Sequence, residues 1–302
     1  EDDQINTGSS LVDAQFMSQQ LNCQLEPPDI YLDTHIMDVK FSPCANVIAL
    51  GQVTGHVRVY SYDEKETKEQ LTFDHHKESC RAIEFSPDGN IIYTGSKDQS
   101  LSVITNGVMA GRIHDAHDAP IYSLLHLQGG HTVASGDDDG CIRIWDLRVA
   151  NQGKKHSIQM EFKEHEGTIS QMVFNDVAQQ IVTGSCDGML GVFDLRKGNL
   201  YAMSDNFEED LTSVTLQKEG RKVLAATSDG IVNVFSWDYF GDCNDRIVGH
   251  PGSVDTMVSY DEDVVITGCE DGLVRAVSVL PNKIIAILGD PLDTEDEVFH
   301  IQ

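Results

Sequence analysis

A tight-turn signature that recurs every 41 to 48 residues predicts an all-β fold of repeated four-stranded blades, a β-propeller. Apolar alternation on both sides of each turn, as in residues 133–146, indicates a strand, a turn and a second strand. The 302-residue chain is long enough to bury several such units. The turns lie at Gly55, Gln99, Gly140, Gly188, Gly230 and Gly272.

An apolar run begins each unit, and we predict that it forms the inner strand of one blade. The runs are residues 36–41, 81–85, 121–125, 169–174, 211–216 and 254–258. Turn-forming residues follow three of them, at Ser42-Pro43, at Ser86-Pro87-Asp88-Gly89 and at residues 218–220. The sequence therefore predicts six complete blades.

Both ends of the chain differ from these units. Residues 1–28 lack alternation and end in Pro27-Pro28, which predicts a flexible acidic and polar extension before a propeller at residues 29–302. After a further strand at residues 280–288, residues 297–301 predict the inner strand of an incomplete seventh blade. The extended segment 29–33 is the predicted outer strand of that blade, which makes the full-length protein seven-bladed.

Polar residues at fixed places in these units resemble the structural tetrad of WD repeats. In the third unit, His117, Ser135, Asp139 and Trp145 match the histidine, serine or threonine, turn aspartate and strand tryptophan of that tetrad. The resemblance implies that these groups satisfy one another by hydrogen bonds inside one blade. Partial sets are His76, Thr94 and Asp98; His165, Thr183 and Asp187; and His250, Thr267 and Asp271. The fifth unit keeps Asp229, and the first has Thr54 at the aspartate position.

Composition predicts an intracellular protein that binds other proteins rather than nucleic acid. No apolar run approaches the length of a membrane span, and the chain does not open on a secretion signal. The seven cysteines are spread almost one per blade without a Cys-x-x-Cys pair, as expected of small buried side chains in a reducing compartment. A net charge of −28 repels phosphate backbones, so we expect little direct binding of RNA or DNA.

Several strings that a propeller does not require resemble the WD repeat-containing protein 55 family, including its fungal relatives, across residues 29–302. They are His75-His76 with Cys80-Arg81-Ala82, Gly136-Asp137-Asp138, residues 210–216, and residues 271–276 with 280–282. The resemblance implies a nucleolar or nuclear factor, present also in the cytoplasm, that is needed for ribosomal RNA processing and large-subunit production. It also implies that the full-length protein continues into the rest of blade seven and a Lys-rich tail.

Motifs for catalysis, cofactors or metals are not evident. The sequence has no Gly-rich phosphate loop, no Gly-x-Ser-x-Gly elbow and no His-Glu-x-x-His helix, so we predict no enzymatic activity, no cofactor and no metal. The run Asp137-Asp138-Asp139 and the pair His114 and His117 are weighed as cation ligands. The structural roles of Asp139 and His117 favour a turn and a tetrad instead.

The pattern Trp145-Asp146-Leu147-Arg148, echoed at Phe193 to Arg196, suggests an alternative function. In WD-repeat proteins it resembles the box through which substrate receptors dock on the adaptor of cullin-4 ubiquitin ligases. Trp145, Asp146, Arg148 and Arg196 are then the candidate contacts, with the planar Arg fork as the main one. Trp-Asp is also the signature of the repeat itself, so the motif admits a purely structural interpretation.

The resemblance to WD repeats also implies which residues surround the channel on the top face. The mapped positions are His35, Met37, Val53, Ser79, Arg81, Lys97, Pro120, Tyr122, Asp138, Thr168, Ser170, Cys186, Asp210, Thr212, Ser228, Ser253, Asp255 and Glu270. The predicted partner-binding residues among them are Arg81, Lys97, Tyr122, Asp138, Asp210, Asp255 and Glu270. We expect pre-ribosomal assembly factors or ribosomal proteins as partners of a protein that is itself a monomer.

Overall fold

The computed structural model describes residues 27–127, 131–148 and 157–289. These residues form 24 β-strands in six antiparallel four-stranded sheets. Blades one to three contain β1 (Ile36–Phe41), β2 (Val47–Gln52), β3 (His56–Tyr62), β4 (Thr67–Asp74), β5 (Cys80–Phe85), β6 (Ile91–Ser96), β7 (Leu101–Thr105), β8 (Val108–Ile113), β9 (Ile121–Leu127), β10 (Thr132–Asp137), β11 (Ile142–Asp146) and β12 (Ile158–Phe162). Blades four to six contain β13 (Ile169–Asn175), β14 (Gln180–Ser185), β15 (Leu190–Asp194), β16 (Asn199–Met203), β17 (Leu211–Gln217), β18 (Lys222–Thr227), β19 (Val232–Ser236), β20 (Asp245–Ile247), β21 (Val254–Ser259), β22 (Val264–Cys269), β23 (Val274–Ser278) and β24 (Lys283–Gly289).

The predicted propeller with six complete blades is confirmed. Within each sheet the strands follow in chain order, each antiparallel to the one before it. The first strand of each sheet packs beside the first strand of the next, from β1 against β5 to β17 against β21. The six blades therefore stand in a ring around a central channel lined by the first strands.

The hydrophobic core lies between neighbouring blades. In blade two, all residues of β6 are buried, whereas the outer strand β8 begins with exposed Val108 and Met109. Between blades two and three, Tyr93 and Leu101 pack with Ile121 and Trp145, and all four are fully buried. A buried side chain of this size contributes roughly 1.5 to 3 kcal/mol of transfer free energy. The inner, second and third strands therefore share the packing that joins these two blades.

The segment predicted as the outer strand of a seventh blade is not a strand. Residues 29–33 are extended, with no ladder to another strand among the described residues. Ile30 and Leu32 instead pack on Ile48, Leu50 and Tyr60, on the side of blade one that faces away from blade two. The segment has no neighbouring strand among the described residues, and it covers apolar surface of blade one instead.

Blade six presents the other face that is open in the described part of the ring. Val258 in β21 is 37% exposed, and Ile287 and Leu288 in β24 are 56% and 50% exposed. The predicted seventh-blade strand at 297–301 and the N-terminal extension at 1–26 lie outside the described residues.

Candidate protein-interaction face at the central channel

A bulge at the second residue of every inner strand shapes the channel. In β5, Cys80 pairs with Ser96 and Ala82 with Gly95, so that Arg81 has no partner across the ladder. The same irregularity recurs in all six inner strands, and a bulged residue turns its side chain away from the regular pattern. The bulged residues, which we call the channel ring, are Met37, Arg81, Tyr122, Ser170, Thr212 and Asp255.

The channel ring lines a cavity of about 330 Å³. The Arg81 guanidinium carbon lies 5.6 Å from the centre of the Tyr122 ring, and its Nη1 donates to Asp138 Oδ2 at 3.2 Å. Tyr122 is 38% exposed. Contacts with an aromatic ring and a carboxylate restrict the rotamers of an arginine before a partner binds, which lowers the entropic cost of binding. The predicted residues Arg81, Tyr122 and Asp138 thus meet at the channel mouth.

The other predicted top-face residues are more dispersed. Asp255 lines the same cavity, whereas Lys97 pairs with Glu78 at 3.9 Å in a solvent-exposed contact. Asp210 and Glu270 are exposed and do not line the cavity. The site at the channel therefore contains fewer residues than the predicted set of seven.

Asp38 is a cavity residue that the sequence did not single out. It follows Met37 in β1 and is 5% exposed, and its carboxylate accepts hydrogen bonds from the backbone N–H groups of Val39 and Ile83. The bond to Ile83 joins blade one to blade two. Burial raises the pKa of Asp38 to about 6. Asp38 is the one buried residue of β1, and no pattern in the neighbouring sequence predicted its burial.

We expect Asp38→Asn to flatten the pH dependence of stability. Because the folded-state pKa is raised from 3.8 to about 6, the stabilising contribution is complete below 3.8 and is lost as the pH rises through about 6. Between about pH 5 and about pH 8, the wild type should lose roughly 1.4 kcal/mol more unfolding free energy than the variant. Urea titrations at both pH values measure this, and parallel losses in the two proteins would contradict it.

The tetrad of blade three is built around Asp137, so the prediction of Asp139 is wrong. Asp137 Oδ2 lies 2.7 Å from His117 Nδ1, His117 Nε2 lies 2.5 Å from Ser135 Oγ, and Trp145 Nε1 donates to that hydroxyl at 2.7 Å. Asp139 is exposed. Side chains two apart on a strand share a face, so Asp137 in β10 points with Ser135 toward His117, whereas Asp139 lies beyond the strand in the turn.

Blade four has the arrangement expected from its sequence. His165 Nδ1 lies 2.8 Å from Asp187 Oδ2, and His165 Nε2 lies 2.8 Å from Thr183 Oγ1. The turn residue reaches the histidine here because the strand position holds Ser185, whose hydroxyl bonds the carbonyl of Gly167. With a hydroxyl at that position, the ring nitrogen of the histidine is available to the turn aspartate.

The partial tetrads of blades two and six differ from each other. In blade two, His76 Nε2 lies 2.8 Å from Thr94 Oγ1 and Nδ1 lies 3.4 Å from Asp98. In blade six, His250 Nδ1 lies 3.2 Å from the carbonyl oxygen of Gly230, while Asp271 pairs with Arg275. The predicted contact between His250 and Asp271 is therefore replaced by a bond to the neighbouring blade.

The first and fifth blades have their predicted turn residues in local contacts. Asp229 accepts a hydrogen bond from the hydroxyl of Thr227, two residues before it. Thr54 Oγ1 lies 2.7 Å from His56 Nδ1, in the strand that follows the turn. Apolar packing also joins these two blades to their neighbours, as in the buried cluster that contains Ala49 and Ile83.

Among the described residues, one group of potential metal ligands overlaps the tetrad of blade three. Ligand atoms of His117, Asp137 and Cys141 lie within 4.8 Å of one another in the buried interior. Both nitrogens of the His117 ring already lie within hydrogen-bond distance of Asp137 and Ser135. Burial raises the pKa of the Cys141 thiol to about 12, so that it is protonated at neutral pH. The group is explained by hydrogen bonding within the blade.

The residues proposed for ligase-adaptor contact fall into two groups. Trp145 is fully buried and belongs to the tetrad. The Arg148 side chain is 67% exposed and pairs with Asp146, and Arg196 donates to the backbone carbonyl of Ala178 at 2.6 Å. Both guanidinium groups thus have partners inside the chain, and the adaptor contact remains a prediction from the motif.

Helices that could cross a membrane are not found in the part of the chain that the structure describes.

Six four-stranded blades, with histidine–hydroxyl–aspartate sets in several of them, define the class: a WD-repeat β-propeller, a scaffold for protein interactions. The chain belongs to the WD repeat-containing protein 55 family, whose model, WDR55, matches residues 27–300. The resemblance found in the sequence is thereby confirmed.

Similar relatives come from animals and a plant. WD repeat-containing protein 55 of Pongo abelii is 38% identical over 93% of this chain and 73% of its own length. The Arabidopsis thaliana protein of that name is 37% identical over 86% of this chain and 73% of its own length. The Bos taurus protein is 40% identical over 87% of this chain and 68% of its own length.

Proposed function

We propose that this protein is a non-enzymatic scaffold in ribosome biogenesis, acting in the nucleolus and nucleus to hold proteins during ribosomal RNA processing. The observation that carries the interaction role is the channel ring, in which Arg81 is fixed against Tyr122 at the mouth of a cavity. Arginine and tyrosine at the centre of a concave surface are typical anchors of protein interfaces. The ribosomal role rests on the resemblance to the family.

The charge of the chain supports proteins rather than RNA as the direct partners. Twenty-one basic residues stand against 49 acidic ones, and the exposed top-face residues Asp210 and Glu270 add negative charge near the channel. Arg81, the basic residue at the cavity, is already paired with Asp138. A phosphate backbone would therefore meet repulsion over most of this surface.

The double variant Arg81→Ala, Tyr122→Ala should stay folded and leave the pre-ribosomal fractions. Loss of a central anchor commonly costs about 2 kcal/mol of binding free energy or more, whereas a rim charge costs little. The measurement is sedimentation of the full-length protein from cell extract, together with blotting for immature ribosomal RNA, which should accumulate.

The matched control is Arg221→Ala, Tyr239→Ala, which also removes one arginine and one tyrosine. The Arg221 side chain is 74% exposed and Tyr239 is 72% exposed, and neither lines the channel cavity. This control should sediment and process RNA like the wild type. If the Arg81 and Tyr122 variant does so too, the channel mouth is not the working surface; tight RNA binding by the purified protein would overturn the protein-contact proposal.

A further inference from the structure

Only one of the two charged residues in the channel ring has a counter-ion among the described residues. Arg81 and Asp255 are its two charged members. Arg81 has Asp138 as a counter-ion at 3.2 Å. The Asp255 carboxylate accepts a hydrogen bond from Ser253 Oγ at 2.6 Å, and no lysine or arginine of residues 27–127, 131–148 or 157–289 forms an ion pair with it. The cavity wall thus carries a carboxylate that lacks a cation in the described structure.

Two neighbouring ring positions add hydrogen-bond acceptors. The Ser170 hydroxyl donates to the carbonyl of Leu211 at 2.5 Å, and the Thr212 hydroxyl donates to the carbonyl of Val254. A hydroxyl has one proton to donate, so its remaining capacity is that of an acceptor. Ser170, Thr212 and Asp255 therefore form an arc of the ring that suits an N–H donor.

Other polar groups of the cavity do not supply the missing positive charge. The Cys186 thiol lines the cavity, and burial raises its pKa to about 11, which keeps it neutral. The carboxylate of Asp38 is occupied by backbone donors. Because Asp38 lines the same cavity as Asp255, it adds a second acidic group to the wall and strengthens the electrostatic preference for a cation.

We propose that the channel cavity binds one cationic side chain, arginine or lysine, presented by a protein partner, with Asp255 as its counter-ion. This inference rests on the proposed function, in which the top face holds proteins. About 330 Å³ is room for one long side chain rather than for a folded element. The cation lies on the acceptor arc, away from Arg81, which already occupies Tyr122 and Asp138.

Methionine methyl resonances of the full chain provide the test, because Met37 belongs to the cavity wall. The probes are acetylated Gly-Ser-X-Ser-Gly amides in which X is arginine, lysine, citrulline or glutamate, and Met37→Leu assigns the signal. We expect the arginine or lysine peptide to shift the Met37 resonance saturably. Citrulline has nearly the size of arginine without its charge, and its peptide should bind at least about tenfold more weakly.

Variants of Asp255 locate the contact. Asp255→Asn and Asp255→Ser should each weaken binding of the arginine peptide by about tenfold or more. Serine is the residue that blade four has at the same position, Ser170. Asp242→Asn, on an exposed loop between β19 and β20, should leave binding unchanged. Equal binding of arginine and citrulline, unchanged binding by both Asp255 variants, or tighter binding of glutamate would overturn the proposal, as would the lack of any shift.

The two proposals fail separately. Peptide binding is measured on the purified protein and depends on Asp255, whereas the ribosomal role is measured by sedimentation in extract and depends on Arg81 and Tyr122. A protein that joins pre-ribosomes but ignores the arginine peptide refutes the cation site alone. One that binds the peptide through Asp255 but never joins pre-ribosomes refutes the ribosomal role alone.

Discussion

Asp137→Ala should lower the free energy of unfolding by roughly 2 to 3 kcal/mol, since it removes a buried charged acceptor from several donors. Asp137 is 1% exposed, and its carboxylate contacts the His117 ring and the backbone N–H of Cys141 at 2.8 Å. Loss of these bonds weakens the turn between β10 and β11 and the anchoring of the histidine. The change is measured by urea denaturation monitored through tryptophan fluorescence. Trp145 reports on this site because its Nε1 donates to the Ser135 hydroxyl that also contacts His117.

Asp139→Ala, two residues away, is the matched control for Asp137→Ala. Its side chain is exposed, and substitutions at such sites usually change stability by no more than about 0.5 kcal/mol. The two variants have the same change in composition and charge. If Asp139→Ala proves the more damaging one, the tetrad assigned from the sequence is right and the contact with Asp137 is wrong.

The repeat period made the fold predictable. It did not predict which of several neighbouring aspartates belongs to the tetrad of blade three. Glycine or another residue with positive φ closes each turn, as at Gly140 with φ of 80°, and this requirement is readable in sequence. Three successive aspartates follow Gly136, and alignment on the turn selects Asp139. Strand alternation selects Asp137 instead, since it shares a face with Ser135.

The candidate site was predictable in part for a similar reason. The second position of each inner strand could be mapped from the repeat, so that Arg81, Tyr122 and Asp255 were found in advance. Asp38 was missed because the mapping used positions that flank the first apolar residue and did not include the third residue of the strand. Its burial depends on the packing of blade one against blade two, which no local pattern specifies.

Gly136→Ala should destabilise the protein by roughly 1 to 3 kcal/mol or more, because blade four approaches the backbone of blade three at this position. A Cβ on Gly136 would lie 2.5 Å from Ile169 Cβ and 2.7 Å from Ser123 Oγ. Ile169 is fully buried in the inner strand of blade four, and its carbonyl accepts the Ser123 hydroxyl at 2.9 Å. Relief of the overlap therefore requires a shift of one blade against the next.

Blade five provides the control for Gly136→Ala, since Ala226 occupies the corresponding position. Gly136 pairs with Ser123 of its inner strand, and Ala226 pairs with Ser213 of its own. Blade five thus packs against blade six with a methyl group in place, and Ala226→Gly should cost only about 0.5 to 1 kcal/mol, chiefly through chain entropy. Thermal and urea unfolding of both variants measure the two losses of stability. If both variants lose a similar, small amount of unfolding free energy, neighbouring blades can shift enough to accommodate a methyl group. The close contact at Gly136 would then not fix the position of blade four against blade three.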